Sequence, residues 1–466
     1  MRVLHYMFGI PPVRTGGLVR YAADLMKQEM NIGIDVHLLI PGTMSISKRK
    51  RTRVIKRRKD YLQIPAYEIY HPLPVPMCNG ILDIKAYTEK CGSAAFQKFL
   101  KELQPDLIHI HTFMGLHREF LVQSRRMGIP VVFTTHDYFG ICPTAVMLYR
   151  GTVCRDCTWK NCGECSSSAF SKKRLYIEQS GCYRMLRKHD RLTAAVKKAA
   201  QLSGILSVRT QVQENKKIKM KIDYLALRNY YKSMFDMVSF FHFNSLTAKK
   251  IYEERIGECK GRVVNISHAG ISDHRRRYHY GETLRIGYFG SWAVHKGFFA
   301  LLDACGSLYE EGCTQLELHI YSSTNTRKER FVKSHPGFRA DQLEYVLQGI
   351  DLVAVPSLWP ETFGLTALEA VSYGVPVIVS KHVGVNDILQ CKDYPGCGFV
   401  YDGTQQDLKR ILREVYENRE MLAEVNKYIA DMDYDFSYKT HVRKMIGIYK
   451  PLIQNQDVGN GAEGGI

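Results

Sequence analysis

Short apolar runs alternate with amphipathic stretches along the whole chain. In the first half the runs fall at 2–7, 34–40, 107–110, 131–134 and 237–243. Each is short and β-rich, which predicts buried strands of a parallel sheet. Between the first two, Leu18, Tyr21, Leu25 and Met26 recur at helical spacing and Gly33 closes the helix. A second series at 284–289, 316–321, 352–355, 375–379 and 399–401 repeats the alternation. Such a pattern predicts an α/β protein with one doubly wound layer in each half. Ligands of these sheets bind outside the carboxyl ends of the strands, so the expected site is the cleft between the halves. The polar stretch 268–282, with Arg275, Arg276 and Arg277 in a row, reads as the boundary.

One insertion breaks the first series. From 170 to 235 the chain is Gly-poor, Pro-free and basic, and Leu192, Ala195, Val196 and Ala199 keep helical spacing, as do Leu225 and Leu227 near Tyr230 and Tyr231. The expectation is helices, either packed on the first domain or touching lipid headgroups through a basic face.

Length and composition fit this picture. A chain of 466 residues exceeds one ordinary core, and 45% hydrophobic with 24% charged residues is the profile of a soluble globular protein. No window reaches the roughly 18 apolar residues of a membrane span, and residues 1–6 run straight toward a Gly-rich loop without a signal-peptide layout. A cytoplasmic protein is expected. The net charge of +19 is local: nine Lys or Arg and no acid lie between 47 and 59, and the insertion holds sixteen against four acids. An anionic membrane surface or a phosphorylated substrate would suit this, or simply a solvated face. The stretch 48–59 has no aromatic residue to stack on bases, so nucleic acid is not expected.

The segment richest in chemistry is Pro356-Ser357-Leu358-Trp359-Pro360-Glu361-Thr362-Phe363-Gly364-Leu365-Thr366-Ala367-Leu368-Glu369. A strand runs into a loop and then into a helix opening near Gly364, leaving backbone N–H groups of Phe363, Gly364, Leu365 and Thr366 to face the cleft. A helix start of this kind binds phosphate without a cationic side chain. Glu361 precedes the helix, where its carboxylate can accept from sugar hydroxyls. Glu369 lies over a turn inside, among apolar neighbours, and needs a partner such as a ribose diol.

This run resembles the Glu-x7-Glu element of glycosyltransferase family 4, retaining enzymes of the GT-B fold, and the flanking Gly374-Val375-Pro376 fits the same pattern. The resemblance implies two facing Rossmann-like domains, with Glu361 toward the donor sugar and Glu369 toward the nucleotide ribose. It implies an acceptor domain at 1–267, a donor domain at 283–432, a helix at 433–453 crossing back to the first domain, and a flexible tail at 454–466. Gly16-Gly17 resembles the family's first glycine loop, which lets the chain approach the donor diphosphate. Phe289-Gly290-Ser291-Trp292-Ala293-Val294-His295-Lys296-Gly297 resembles its second phosphate loop. Lys296 would then neutralise the leaving diphosphate. Ser291 stands where the family commonly has arginine. His136, in Thr135-His136-Asp137-Tyr138, resembles the family histidine near the transferred sugar, although a histidine capping a strand end is the competing reading. His109 and His111, alternating on their strand, are given no chemistry.

The implied function is transfer of a sugar from a nucleoside-diphosphate sugar to a hydroxyl acceptor, with no cofactor required. A glycan or lipid-linked intermediate of bacterial surface polysaccharide would suit the basic first domain as acceptor, with the protein peripheral on the inner membrane face. The alternative is a catalytically impaired GT-B-like scaffold, which Ser291 favours and the intact Glu361–Glu369 element opposes. Separately, Cys154, Cys157, Cys162 and Cys165 form two Cys-x2-Cys pairs. Four thiolates could hold a structural zinc; reduced thiols or disulfides are the other readings. Two Asp-x-Asp strings between Asp431 and Asp435 follow no strand and read as helix-start acids.

Overall fold

The computed structural model describes residues 1–44, 51–155, 158–181, 183, 223–322, 326–389 and 396–460. Two sheets organise them. The first has eight strands: β1 (Arg2–Tyr6), β2 (Asp35–Pro41), β3 (Arg53–Lys56), β4 (Ala66–Tyr70), β5 (Leu107–Ile110), β6 (Val131–Thr134), then β9 (Phe240–Phe243) and β10 (Gly261–Val263). Between β6 and β9 a small separate hairpin pairs β7 (Leu148–Tyr149) with β8 (Thr152–Val153). The spatial order is β10-β9-β6-β5-β1-β2-β4-β3, parallel throughout except for β3 against β4.

The second sheet holds β11 (Leu284–Tyr288), β12 (Leu316–Tyr321), β13 (Val332–His335), β14 (Leu352–Val355), β15 (Val377–Ser380) and β16 (Gly398–Tyr401). Its order is β13-β12-β11-β14-β15-β16, entirely parallel. The direction of winding reverses between β1 and β5 in the first sheet and between β11 and β14 in the second. Those two switch points are where a doubly wound sheet leaves room for a ligand.

Period-two burial explains how the second sheet holds two layers together. On β14, Leu352 and Ala354 join a core with Leu301, Leu308 and Leu412, while Val353 and Val355 face a core continuous with that of the first sheet. Helix Gly17–Asn31 buries Val19, Tyr21, Ala22, Leu25, Met26 and Glu29, the i, i+3/i+4 stripe of a helix lying on a sheet. A fully buried glutamate in that stripe demands partners.

Several expectations change. β3, β4, β7, β8, β10 and β13 were not anticipated. β3 lies inside the basic stretch, as an edge strand: Arg57 pairs with Glu68 at 2.9 Å and Arg53 stacks over Tyr70 at 4.6 Å. Charge on an edge strand blocks pairing with another chain. The insertion contributes helices Lys172–Glu178 and Tyr224–Phe235, while its residues 182 and 184–222, with Leu192, Ala195, Val196 and Ala199, lie outside the described residues. Leu227 is buried and Leu225 is exposed, because a spacing of two turns side chains to different sides of a helix.

The last helix spans Tyr438–Asn460, starting after 433 and running beyond 453 into the expected tail. Its start is set by Asp435, whose carboxylate accepts from Ser437 N at 2.7 Å and from Thr440 Oγ1 at 2.5 Å. Asp431 instead ends the preceding helix and pairs with Arg277 at 2.7 Å. Among the described residues no helix is long and apolar enough to cross a membrane.

Candidate active site

The second sheet delivers two loops from its switch point. After β11 a short turn, Val294–Lys296, ends at Gly297 with φ +72°, and a Cβ there would lie 1.7 Å from the Pro356 carbonyl oxygen. Only glycine lets the two loops touch. After β14 the chain reaches helix Leu365–Ser372 through Gly364, with φ +100° and Val383 Cγ1 2.6 Å from where a Cβ would stand. Gly384 N donates to Glu361 O at 2.9 Å and Val385 N to Phe363 O at 2.6 Å, so the loop is pinned from below. No side chain caps the helix start.

This pinning puts Lys296 Nζ 2.7 Å from Glu361 Oε1, while Ser357 Oγ donates to Oε2. Lys296 also lies 5.3 Å from the centre of the Trp359 ring, within cation–π range. Burial pushes the Glu361 carboxyl up, but the charge of Lys296 and the bonds from Lys296 and Ser357 outweigh it and hold the group below its usual range. Burial and the charge of Lys296 pull the neighbouring His295 down to about 4. The pair is therefore an ionised carboxylate and an ammonium sharing one rim of the cleft.

The first sheet meets this rim at the carboxyl end of β6. Thr362 Oγ1 donates to the backbone carbonyl of His136 at 3.0 Å, which carries His136 to the Glu361 loop. His136 is half-buried, and burial, with His242 and His441 nearby, pulls its imidazole well below the usual value. Next to it, burial raises the Asp137 carboxyl to about 6, against hydrogen bonds from Phe139 N and Thr112. At the end of β1, Gly16 takes φ +123° and starts helix Gly17–Asn31 without a side-chain cap. A Cβ on Gly17 would sit 3.8 Å from Leu365 Cδ1, so the two glycine-led helix starts approach each other across the cleft.

Glu369 sits on the partly open face of its helix with Leu365 and Thr366. Its Oε1 accepts from Arg20 Nη1 at 3.0 Å and lies 2.9 Å from His268 Nε2. Arg20 comes from the first helix and His268 from the connection between sheets, so a carboxylate expected to face a ribose is met here by two groups of the protein.

The structure thus gathers Gly16, Gly17, His136, Lys296, Glu361, Gly364, Leu365, Thr366 and Glu369 about one cleft. Phe363 is 1% exposed, backbone included, so it is enclosed by the protein and does not present its N–H to the cleft as expected. Ser291 is exposed, and its carbonyl accepts from Tyr288 Oη at 2.6 Å. Sequence reasoning missed Arg20, His268, Ser357, Trp359 and Asp137 as site residues. His109 and His111, given no chemistry from the sequence, lie two apart, share a face, and are both fully buried. The visible signal was two histidines in an otherwise apolar strand, and Glu29 within the apolar stripe of its helix.

In the cysteine loop, Cys154 follows β8, and Cys162 and Cys165 lie on helix Trp159–Cys165. Arg228 Nη2 donates to Cys162 Sγ at 3.0 Å, and Cys165 Sγ lies 3.6 Å from the Leu148 carbonyl. Cys157 lies outside the described residues.

Comparison with known proteins bears on both halves. Residues 15–194 match the family described as Glycosyltransferase Family 4, and residues 273–432 match that described as Glycosyl transferases group 1. No curated protein matches the sequence. Among solved structures, sucrose-phosphate synthase from Thermosynechococcus elongatus aligns with a TM-score of 0.57 at 12% identity, over 97% of this chain and 99% of that one. The Anabaena protein HepE in complex with UDP gives 0.57 at 14% identity, over 97% and 100%. The catalytic domain of starch synthase IV from Arabidopsis thaliana, bound to ADP and acarbose, gives 0.56 at 13% identity, over 97% and 99%. These likenesses show the fold, two Rossmann-like domains face to face.

Proposed function

We propose that this chain, a glycosyltransferase of the GT-B type, moves a sugar from a nucleoside-diphosphate donor to a hydroxyl acceptor with retention at the anomeric carbon. The observation that carries this reading is the Lys296–Glu361 pair, held at 2.7 Å by glycine-dependent loops and joined to His136 through Thr362. As the bond from sugar to diphosphate breaks, charge develops on the leaving oxygens. Lys296 and the uncapped helix start at Leu365 stabilise that charge without moving. Glu361, kept ionised, accepts from donor-sugar hydroxyls, and His136 meets the sugar or the acceptor hydroxyl.

Glu369 is assigned to the nucleotide ribose, with the diol displacing or sharing the contacts of Arg20 and His268. With Ser291 contributing no charge, Arg20 is a second cation at that end of the cleft. Structures of similar fold hold UDP or ADP, which supports a nucleoside diphosphate as the donor class. The acceptor we favour is a glycan or lipid-linked intermediate of bacterial surface polysaccharide, reached from an anionic membrane face by the basic first domain. For the loop 154–165 we favour a structural zinc on Cys154, Cys157, Cys162 and Cys165; the Arg228 contact suits a thiolate at Cys162. No catalytic step is assigned to a metal.

A second reading, a binding protein with impaired catalysis, has two observations in its favour: Ser291, and the pairing of Glu369 within the protein. Thermal shift with UDP, GDP, ADP and CMP, followed by donor hydrolysis or transfer, separates the two. We expect one diphosphate to raise the melting temperature in the native chain but not in Glu369→Ala. Binding without turnover of any sugar nucleotide supports the second reading, and no binding at all refutes both.

A further inference from the structure

Beneath His136 lies an unbroken set of buried side chains that catalysis as described leaves unused. One arm runs from Glu29 Oε2 to His5 Nε2 (2.7 Å), from His5 Nδ1 to His111 Nε2 (3.2 Å), and from His111 Nδ1 to His136 Nε2 (3.2 Å). A second arm leaves Glu29 Oε1 for Tyr449 Oη (2.9 Å), then His109 Nδ1 (2.7 Å). It continues from His109 Nε2 to Thr134 Oγ1 (2.7 Å), on to His242 Nδ1 (2.8 Å), and ends with His242 Nε2 at the Val264 carbonyl (2.8 Å). Glu29, His5, His109, His111, Thr134 and His242 are all 0% exposed.

A carbonyl can only accept, which fixes the direction of the second arm. His242 must carry its proton on Nε2, so its Nδ1 accepts from Thr134. Thr134 then accepts from His109 Nε2–H, and His109 Nδ1 accepts from the Tyr449 hydroxyl. The one Tyr449 proton is thereby committed, and the Tyr449–Glu29 contact needs a further proton. Burial holds His109 and His242 well below the usual imidazole value, so that proton sits between those two oxygens and stays in the arm ending at Val264. Oε2 of Glu29 is left as an acceptor. His5 therefore donates from Nε2 and accepts at Nδ1, His111 does the same, and His136 donates from Nε2.

We infer that Glu29, His5 and His111 are positioning residues that lock His136 in the Nε2–H tautomer, so that its Nδ1 lone pair accepts a hydrogen bond from a hydroxyl of the sugar substrates. This rests on the reading that His136 faces those substrates. Among the described residues Nδ1 of His136 has no hydrogen-bond partner, and it is not sealed from the surface, as a substrate-facing atom requires. His5, His109 and His111 also stand close enough to share a cation. However, all six of their ring nitrogens already have hydrogen-bond partners in the two arms, which favours the proton network.

The test has two parts. In the full-length protein with 15N-labelled histidine, the His136 resonances, identified by their loss in His136→Gln, should report a bare Nδ1 and a protonated Nε2 at neutral pH. A protonated Nδ1, or stoichiometric metal bound at His5, His109 and His111, overturns the inference. In transfer assays Glu29→Leu, which removes the acceptor, should lower kcat about tenfold, the worth of one hydrogen bond to a reacting hydroxyl, with donor KM unchanged. Glu29→Gln should rescue it, because the amide carbonyl accepts from His5 while the amide N–H supplies the proton that Tyr449 needs. A purely structural need to fill the site would favour Leu, and equal loss in both variants overturns the inference. If no sugar nucleotide binds, the function proposed above fails while the tautomer measurement still decides this point.

Discussion

Replacing Lys296 with Met tests the rim of the cleft most directly. At 2.7 Å the Lys296–Glu361 attraction is about 6 kcal/mol gross at an effective dielectric of 20, much of it cancelled by desolvation. Breaking a fully buried pair by removing one partner costs roughly 3–5 kcal/mol. Here the side chains are 28% and 14% exposed and Ser357 still bonds the carboxylate, so a loss of about 2 kcal/mol is expected. The sign of its pH dependence follows. In the native chain the Glu361 carboxyl lies below its usual value, so its contribution is present above that value and lost as the pH falls. Without Lys296, burial dominates and raises the group, so the variant should be less stable at pH 8 than at pH 5. Adding Glu361→Gln should recover most of the stability in urea titrations. Turnover should stay about 10²–10³-fold down in both, because the charge facing the leaving diphosphate is gone. A Lys296→Met enzyme within threefold of native kcat would refute the assignment of Lys296, whatever its stability.

Two other outcomes follow from geometry already described. Asp137, raised from 3.8 to about 6 by burial, contributes stability below about pH 4 that is lost as the pH rises through 6. Asp137→Asn should therefore stabilise the protein at pH 7.5 by on the order of 2–3 kcal/mol and leave it unchanged at pH 4; equal melting temperatures at pH 7.5 would contradict the buried placement of that carboxyl. Gly297→Ala, with a Cβ 1.7 Å from the Pro356 oxygen, must push the two phosphate-side loops apart and should abolish transfer while circular dichroism stays native. Normal kinetics in that variant would show that the loops need not touch.

Ten of the strands were legible because each carries a short apolar run, buried throughout in β5, β6, β14 and β15 and on alternate residues in β12. Two of the strands that escaped, β3 and β13, lie at sheet edges, where Arg53-Val54-Ile55-Lys56 and Val332-Lys333-Ser334-His335 carry no apolar run to read. Lys296, Glu361 and Glu369 could be picked out because each lies in a contiguous motif. Arg20 and His268 could not, since they join Glu369 from 349 and 101 residues away. The same holds for Tyr449, which reaches Glu29 across 420 residues. Long-range polar contacts leave only a local trace, a charged or aromatic residue where an aliphatic one would serve, and that trace does not name its partner.

The final helix, Tyr438–Asn460, has a bearing on how the protein is made. His441 bonds Tyr21 at 2.9 Å, Arg262 donates to the Lys444 carbonyl at 2.9 Å, and Tyr449 closes onto Glu29 and His109. The amino-terminal sheet is therefore completed by residues translated after the whole second sheet. At roughly 5–20 residues per second, a ribosome that has finished β10 needs on the order of 10–40 s to deliver Tyr449. For that interval the nascent first half exposes an uncovered apolar groove and a charged residue awaiting its phenol. A chaperone would find its client there, and a fragment ending before Tyr438 should aggregate rather than fold.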